Sequence, residues 1–277
     1  MFNQSSSPSL LSKLLPSCAA IASLGFTVAV QPPTSAASLT PVNVELSLLV
    51  DVSGSVSSSE YALQMGGYRD AFTRLSPLFG SGNFGSVAVN LIEWSGANQQ
   101  RLSIPWTLLN NEASTLQFAN AIGALLQPAG GSTAPGSAIQ FATPLFSNNA
   151  YAGQRWVIDV SGDGVANAGV STSLARDNAL AAGVSAINGL PIVTSPSSSL
   201  EAWYRNNIQG GAGSFVIAAN GFEDFGRAIE QKLRLELAPP STDPPAEAVP
   251  EPTTMLGIAL AGSGLAYFKR RRSAKPE

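Results

Sequence analysis

Residues 42–55 read VNVELSLLVDVSGS. Val42, Val44, Leu46, Leu48 and Val50 alternate up to Asp51, and Leu49 adds an apolar side chain on the other face, the pattern of a strand buried on both sides. The run ends in a turn rich in Ser and Gly. Ser57 with Glu60 then forms a capping box, and Tyr61, Met65, Tyr68, Phe72, Leu75 and Phe79 follow at spacings of three and four along one helical face. A buried strand leading through a polar turn into an amphipathic helix is the opening of a βα unit.

The same alternation continues along the chain. Strands are expected over 86–94, 102–106, 155–161, 185–193 and 214–218, and helices over 112–126, 136–146, 172–182, 198–208 and 222–235. Repeated βα alternation specifies a single-domain α/β fold: a doubly wound, mostly parallel sheet with helices on both faces. Ligands of such sheets bind beyond the carboxyl ends of the strands, near the point where strand order reverses.

The chain has 277 residues, 15 basic and 18 acidic, no histidine and one cysteine. Without imidazole there is no Ser-His-Asp triad, no histidine base and no histidine-ligated zinc or haem. Cys18 lies in a segment expected to be removed. Site chemistry in the mature protein therefore falls to oxygen atoms, which favour hard cations.

Both ends read as targeting segments. Residues 1–13 carry one charge, Lys13, an apolar run follows from Leu14 to Val30, and Ser35-Ala36-Ala37 offers a signal peptidase its small residues. Residues 1–37 are thus expected to be a signal peptide, leaving a domain over 38–238. A lipoprotein reading of Cys18 fails because the apolar run follows the cysteine. Residues 239–252 hold six prolines in fourteen positions, an extended linker of roughly 40 Å. Pro250-Glu251-Pro252, the apolar stretch 253–268 and the basic stop 269–272 then follow. The stretch is short for a membrane helix, but its basic flank fits a cytoplasmic end. This arrangement, 249–272, resembles a PEP-CTERM sorting signal. The resemblance implies a transient inner-membrane anchor, cleavage by an exosortase, and delivery to the cell surface or extracellular matrix.

Residues 38–252 carry nine Lys or Arg against seventeen Asp or Glu, a net charge of −8. With one lysine, Lys232, and scattered arginines, that stretch offers no nucleic-acid footprint. Its informative polar positions are three oxygen-rich turns at strand ends or helix mouths: Asp51-Val52-Ser53-Gly54-Ser55, Ser132-Thr133, and Asp163 between two glycines. One carboxylate with two hydroxyls at alternate positions, joined by a distant hydroxyl and a second carboxylate, can complete an octahedral, partly hydrated shell for magnesium. Taken alone, the first turn is more often a solvated loop of Asx and Ser turns, and Asp163 between glycines more often a tight turn, than a ligand site.

In that order the turns resemble the metal-ion-dependent adhesion site (MIDAS) of the von Willebrand factor A domain, a D-x-S-x-S turn, a threonine and an aspartate. Glu93-Trp94-Ser95-Gly96, the run 157–164, Ala175-Arg176-Asp177, the run 187–192 and Gly213-Ser214-Phe215-Val216 are similar to a bacterial branch of that superfamily. The resemblance implies Asp51, Ser53, Ser55, Thr133 and Asp163 as ligands of a divalent cation, magnesium first, with manganese or calcium as alternatives. Ser132 competes with Thr133 for the second-loop position. Glu93 and Asp159, inside apolar strands, need buried partners and are expected to be structural. The expected role is a non-enzymatic, exported adhesion module that engages a protein or glycan ligand presenting a carboxylate. A metal-dependent hydrolase and a matrix protein with a vestigial site are the alternatives. A haloacid-dehalogenase-type phosphatase is disfavoured, because Ser53 stands where it needs a second aspartate.

Overall fold

A computed structural model describes residues 38–80, 83–195 and 199–239. The expected signal peptide, most of the Pro-rich linker and the stretch 253–268 lie outside the described residues. Twelve elements follow in chain order: β1 Thr40–Asp51, α1 Ser58–Leu75, β2 Val87–Trp94, β3 Gln100–Leu109, α2 Glu112–Gly123, α3 Pro135–Ala142, β4 Tyr151–Gly162, α4 Thr172–Ala181, β5 Ala186–Pro191, α5 Leu200–Asn207, β6 Gly210–Gly211 and α6 Phe225–Leu237. The sheet runs β3-β2-β1-β4-β5-β6. β1 pairs in parallel with β2 and β4, and β4 with β5, while β3 and the two-residue β6 are antiparallel edges.

Both faces of the sheet are covered, and β1 shows why. Leu46, Leu48 and Val50 enter a core formed with Tyr68 and Phe72 of α1, Phe118 of α2 and Phe225 and Ile229 of α6. Leu49 enters the opposite core, with Ile139 of α3, Ala175 of α4 and Tyr204 of α5. The sequence pattern of β1 thus matches a strand sandwiched between two helical layers. The capping box forms as expected: Ser57 Oγ accepts from the Glu60 N–H, and Glu60 Oε2 accepts from the Ser57 N–H at 2.8 Å. It sets the start of α1 at the mouth of the first turn.

Several expectations change in detail: β4 starts at Tyr151 rather than at 155, α3 ends at Ala142 rather than at 146, and two strands differ for reasons the structure shows. The strand placed at 102–106 is β3, ten residues long, because its turn back from β2 is tight and the antiparallel ladder runs on to Val87↔Leu109. The strand expected at 214–218 is reduced to isolated parallel bridges, Gly189↔Val216 and Ile192↔Ala219. There the Asn188 side chain takes the Phe215 N–H at 3.0 Å, and Gly211 and Gly213 adopt positive φ just upstream, so a side-chain acceptor and two bends interrupt the ladder.

Glu93 and Asp159, buried inside their strands, each face a polar or charged side chain. Glu93 accepts from Tyr61 Oη at 2.7 Å and from Ser103 Oγ, and Asp159 meets the buried ammonium of Lys232. Trp106, Phe146 and Trp156 pack against one another as core wall. Among the described residues no helix is long and apolar enough to cross a membrane.

Leu48, fully buried at the centre of the sheet, and Leu126, 84 % exposed, frame a stability test. Denaturant unfolding is expected to show Leu48→Ala losing about 2–5 kcal/mol. Leu126→Ala should stay within about 0.5 kcal/mol of wild type.

Candidate functional site at the carboxyl edge of the sheet

The parallel register brings the first and third turns together. Val50 lies beside Ser161, so β1 leaves the sheet at Asp51 where β4 leaves it at Gly162. In the first turn, Asp51 Oδ1 accepts the Ser53 N–H at 2.7 Å, an Asx turn that folds the chain back on itself. Ser53 Oγ lies 3.1 Å from Ser55 Oγ, and Ser55 Oγ donates to Asp163 Oδ1 at 2.7 Å. Four of the five expected oxygen donors are therefore linked through direct contacts across 112 residues of chain.

The second turn closes over them through its backbone. The Gly54 N–H donates to the Gly131 carbonyl at 2.8 Å, and a Cβ on Gly130 would sit 3.0 Å from the Val52 carbonyl oxygen, so the two turns approach as closely as glycine permits. Thr133 is tied to the third turn from both sides: its N–H donates to Asn167 Oδ1 at 2.8 Å, and the Asn167 N–H donates to its carbonyl at 2.9 Å. Thr133 is buried with its hydroxyl beside Gly164, whereas Ser132 is exposed. The fifth donor thus faces the third turn.

Burial and charge make this cluster unusual. Asp51 is fully buried and Ser53 nearly so, while Ser55 is open to solvent and Asp163 partly so, giving a cradle with a closed floor and an open rim. Asp51 Oδ2 has no hydrogen-bond partner. Burial pushes the Asp51 carboxyl up to about 7 against the pull of its Ser53 hydrogen bonds, and the neighbouring Asp163 charge adds to the rise. Asp163 is also raised, by burial first, with its Ser55 bond opposing. Among the described ion pairs neither carboxylate takes part. Two adjacent carboxylates without a counter-cation, one of them with an orphaned buried oxygen, fit a divalent cation on both charge and donor type. Among the described residues no group of three His, Cys, Asp or Glu is placed to hold an ion, so hydroxyls would have to supply the remaining protein ligands.

Several residues that the sequence motif does not mark shape the cradle. Tyr204 of α5 is buried with its phenolic oxygen unpartnered, and its ionisation is pushed far up by burial and by the nearby Asp51 charge. Gly162 leaves room for both oxygens: a Cβ there would stand 2.5 Å from Asp51 Oδ2 and 2.9 Å from Tyr204 Oη. Gln64 of α1 donates to the Asp51 carbonyl at 3.0 Å. Gln99, in the β2–β3 turn, accepts from the Gly96 N–H at 3.1 Å beneath the second turn. Tyr204 and Gln64 occupy ordinary helix positions in sequence, and nothing local separates them from core residues.

A sequence profile described as "Protein of unknown function (DUF1194)" matches residues 41–241. The chain belongs to that family. The PEP-CTERM protein-sorting motif matches residues 248–272, which marks an exported, surface-sorted protein. No curated protein matches the chain.

Among solved structures, the DUF1194 domain is similar to proximal thread matrix protein 1 from the mussel byssus, with a TM-score of 0.56 and 14 % identity over 73 % of this chain. A second structure of the mussel protein, described as having a zinc-occupied MIDAS motif, has a TM-score of 0.52 at 16 % identity over 73 % of this chain. The domain spans half the length of the mussel chain in both. It also resembles the pilus adhesin SpaC of Lactobacillus rhamnosus GG, with a TM-score of 0.53 and 14 % identity over 72 % of this chain and 31 % of that one. At these identities the likeness is one of fold, and the fold is that of the von Willebrand factor A domain.

The glycines of the third turn make a paired test of the cradle. Gly162→Ala forces a methyl against Asp51 and Tyr204 and is expected to lower stability by about 1–3 kcal/mol in denaturant unfolding. At Gly164 a Cβ meets only Thr133, at 3.5 Å or more, so Gly164→Ala should change stability by less than about 0.5 kcal/mol.

Proposed function

We propose that the DUF1194 domain is a surface-displayed, non-enzymatic binding module that engages a protein or glycan ligand through a divalent cation held at the carboxyl edge of its sheet. The observation that carries this reading is the orphaned, buried Oδ2 of Asp51 beside a chain of oxygens that ends at the solvent-facing Asp163. Asp51, Ser53, Ser55, Thr133 and Asp163 would hold the ion. Thr133 is preferred to Ser132 because it is buried against the third turn, whereas Ser132 is exposed. An all-oxygen donor set with two carboxylates suits magnesium first and manganese or calcium next.

When bound, the ion would supply a positive centre at the open rim, able to accept a carboxylate oxygen from a ligand. The protein's own part is to hold the donors in place. The Asx turn at Asp51 and the backbone bonds between Gly54 and Gly131 and between Thr133 and Asn167 are all made within the fold, so little reorganisation accompanies binding. The net negative charge of the domain is consistent with an ion serving as the attractive element for an acidic ligand. The fold likeness to a byssal matrix protein and a pilus adhesin, together with the sorting motif, supports placing this module outside the cell. Processing by signal peptidase and exosortase, with an inner-membrane intermediate, belongs to the same proposal.

A hydrolytic role would need a general base close to the ion; Asp51 and Asp163 are the proposed ligands themselves, and Glu60, whose charge reaches Asp163, is engaged by the Ser57 N–H and hydroxyl in the capping box.

Differential scanning calorimetry tests the metal directly. Magnesium or manganese at about 100 times its Kd should stabilise the wild type by about 2.7 kcal/mol, and chelator should remove the gain. Asp51→Ala should abolish the response. A wild type whose melting temperature ignores both ions would leave the turns as structural features alone. A phosphatase and esterase panel should return no turnover with either metal; metal-dependent activity that disappears in Asp163→Ala would replace the binding role with catalysis.

A further inference from the structure

A second group of ionisable side chains lies deeper, between the sheet and α6, and the metal cradle makes no use of it. Asp159 of β4 sits between Leu48 of β1 and Asn188 of β5 in the parallel register. Lys232 and Glu236 face it from successive turns of α6. Lys232 and Asp159 are fully buried, and Glu236 is 2 % exposed. Lys232 Nζ lies 2.6 Å from Asp159 Oδ1, yet neither Asp159 oxygen has a hydrogen-bond partner, so the contact is close without being aligned as a hydrogen bond. The same nitrogen touches Glu236 Oε1 and stands 5.8 Å from the centre of the Phe215 ring. Asn188 Nδ2 donates to Glu236 Oε1 at 2.8 Å, and Asn188 Oδ1 accepts the Phe215 N–H at 3.0 Å, which fixes the glutamate from the far side.

We infer that Lys232 and Asp159 condense into an intramolecular amide that covalently joins α6 to β4, with Glu236 carrying the proton. In water an amine and a carboxylic acid are held apart from reaction by ionising to ammonium and carboxylate. Here both side chains are fully buried, away from the water that would solvate and separate the ions. Two carboxyls share one buried ammonium, so a single proton on the carboxyl pair leaves the group without net charge; burial raises both Asp159 and Glu236, with the Lys232 charge opposing the rise. Holding nucleophile and electrophile in contact supplies an effective concentration of about 10⁵–10⁸ M in well-oriented systems.

The steps balance without any co-reactant. Glu236 takes a proton from the Lys232 ammonium, and the freed nitrogen lone pair attacks Cγ of the neutral Asp159 acid. The Nζ–Cγ bond forms. Glu236 delivers its proton to the departing hydroxyl, the Cγ–O bond breaks, and one water leaves. Glu236 takes the second nitrogen proton and ends as the neutral acid, and the product is a neutral secondary amide.

Such a bond would have a mechanical consequence. α6 ends at Leu237, and the sorting motif begins at residue 248, so load applied through the C-terminal anchor would enter the domain at α6. A Lys232–Asp159 amide would pass it directly to a central strand. This inference concerns a modification of the domain itself and does not depend on a metal at the cradle.

Peptide mapping of the mature protein tests it. After denaturation and trypsin digestion, peptides 156–176 and 228–234 should appear as one branched species, lighter by one water than their sum, with no cleavage after Lys232. Separate peptides 156–176 and 228–232 in the wild type would overturn the proposal and leave an ion pair. Loss of ammonia with the branch at Asn188 would overturn the choice of Asp159. Glu236→Gln should reduce the branched fraction at least tenfold while the chain remains folded by circular dichroism. Equal branching in that variant would overturn the proton-carrier role of Glu236. Lys232→Met should give no branched species, and because the wild-type map decides the matter, the test stands even if that variant folds poorly.

Discussion

The parallel pairing of β1 with β2 on one edge and β4 on the other is the constraint on which the rest of this domain depends. Parallel strands all end at the same edge of the sheet, so the turns after β1 and β4 are neighbours although they are more than a hundred residues apart in sequence. The register decides which atoms meet. With Val50 beside Ser161, Asp51 arrives at Gly162, where only a hydrogen fits between its carboxyl and Tyr204. A slip of one residue would turn every side chain of β1 to the opposite face, moving Leu46, Leu48 and Val50 out of one core and Asp51 away from Asp163. Hydrophobic burial on both faces therefore positions the cradle as well as stabilising the fold.

The interior holds more polar atoms than a purely apolar core would need. Ser47 donates to Asn90 across one pair of strands, Tyr61 and Ser103 satisfy Glu93, and Asn149 and the Gly153 N–H satisfy Glu45. In these places each buried carboxylate meets donors, and the Asn90 carbonyl oxygen meets a hydroxyl. Among the described residues several buried polar atoms lack a partner, on Gln64, Asn90, Trp94, Thr172, Tyr204 and Glu236 as well as on the carboxyls of Asp51 and Asp159. Asp51 retains an orphaned oxygen at the carboxyl edge, and Asp159 retains two beside Lys232. Unsatisfied groups in a low-dielectric interior are costly, and at Asp51 and Asp159 the orphaned oxygens belong to carboxyls beside other ionisable side chains, which is what the two proposals rest on.

The two sites also differ in what surrounds them. At the edge, the donors belong to loops whose backbones are tied by direct hydrogen bonds, and the rim is open, an arrangement suited to exchange with a ligand. Beneath the sheet, the amine and carboxyls are shut away from water by Phe215, Asn188 and the helix itself, which suits a single irreversible event during folding.

The linear sequence determined the layered α/β fold and the order of its elements, because alternation in β1 and the three-and-four spacing of α1 are local consequences of strand and helix periodicity. It also marked the three oxygen-rich turns, because their order and their places at strand ends and helix mouths single them out although each alone is an ordinary turn. The length of β3 and the broken ladder after Gly213 escaped it, because an antiparallel partner and a competing Asn188 side chain act across space. So did Tyr204, Gln64 and Asn167, which sit at positions whose local pattern is that of any helix or loop. Only the tertiary structure brought Ser55 against Asp163, turned Thr133 inward rather than Ser132, and set Lys232 against Asp159. These meetings depend on strand register and helix packing, which join residues a hundred positions apart and leave no local trace in the chain.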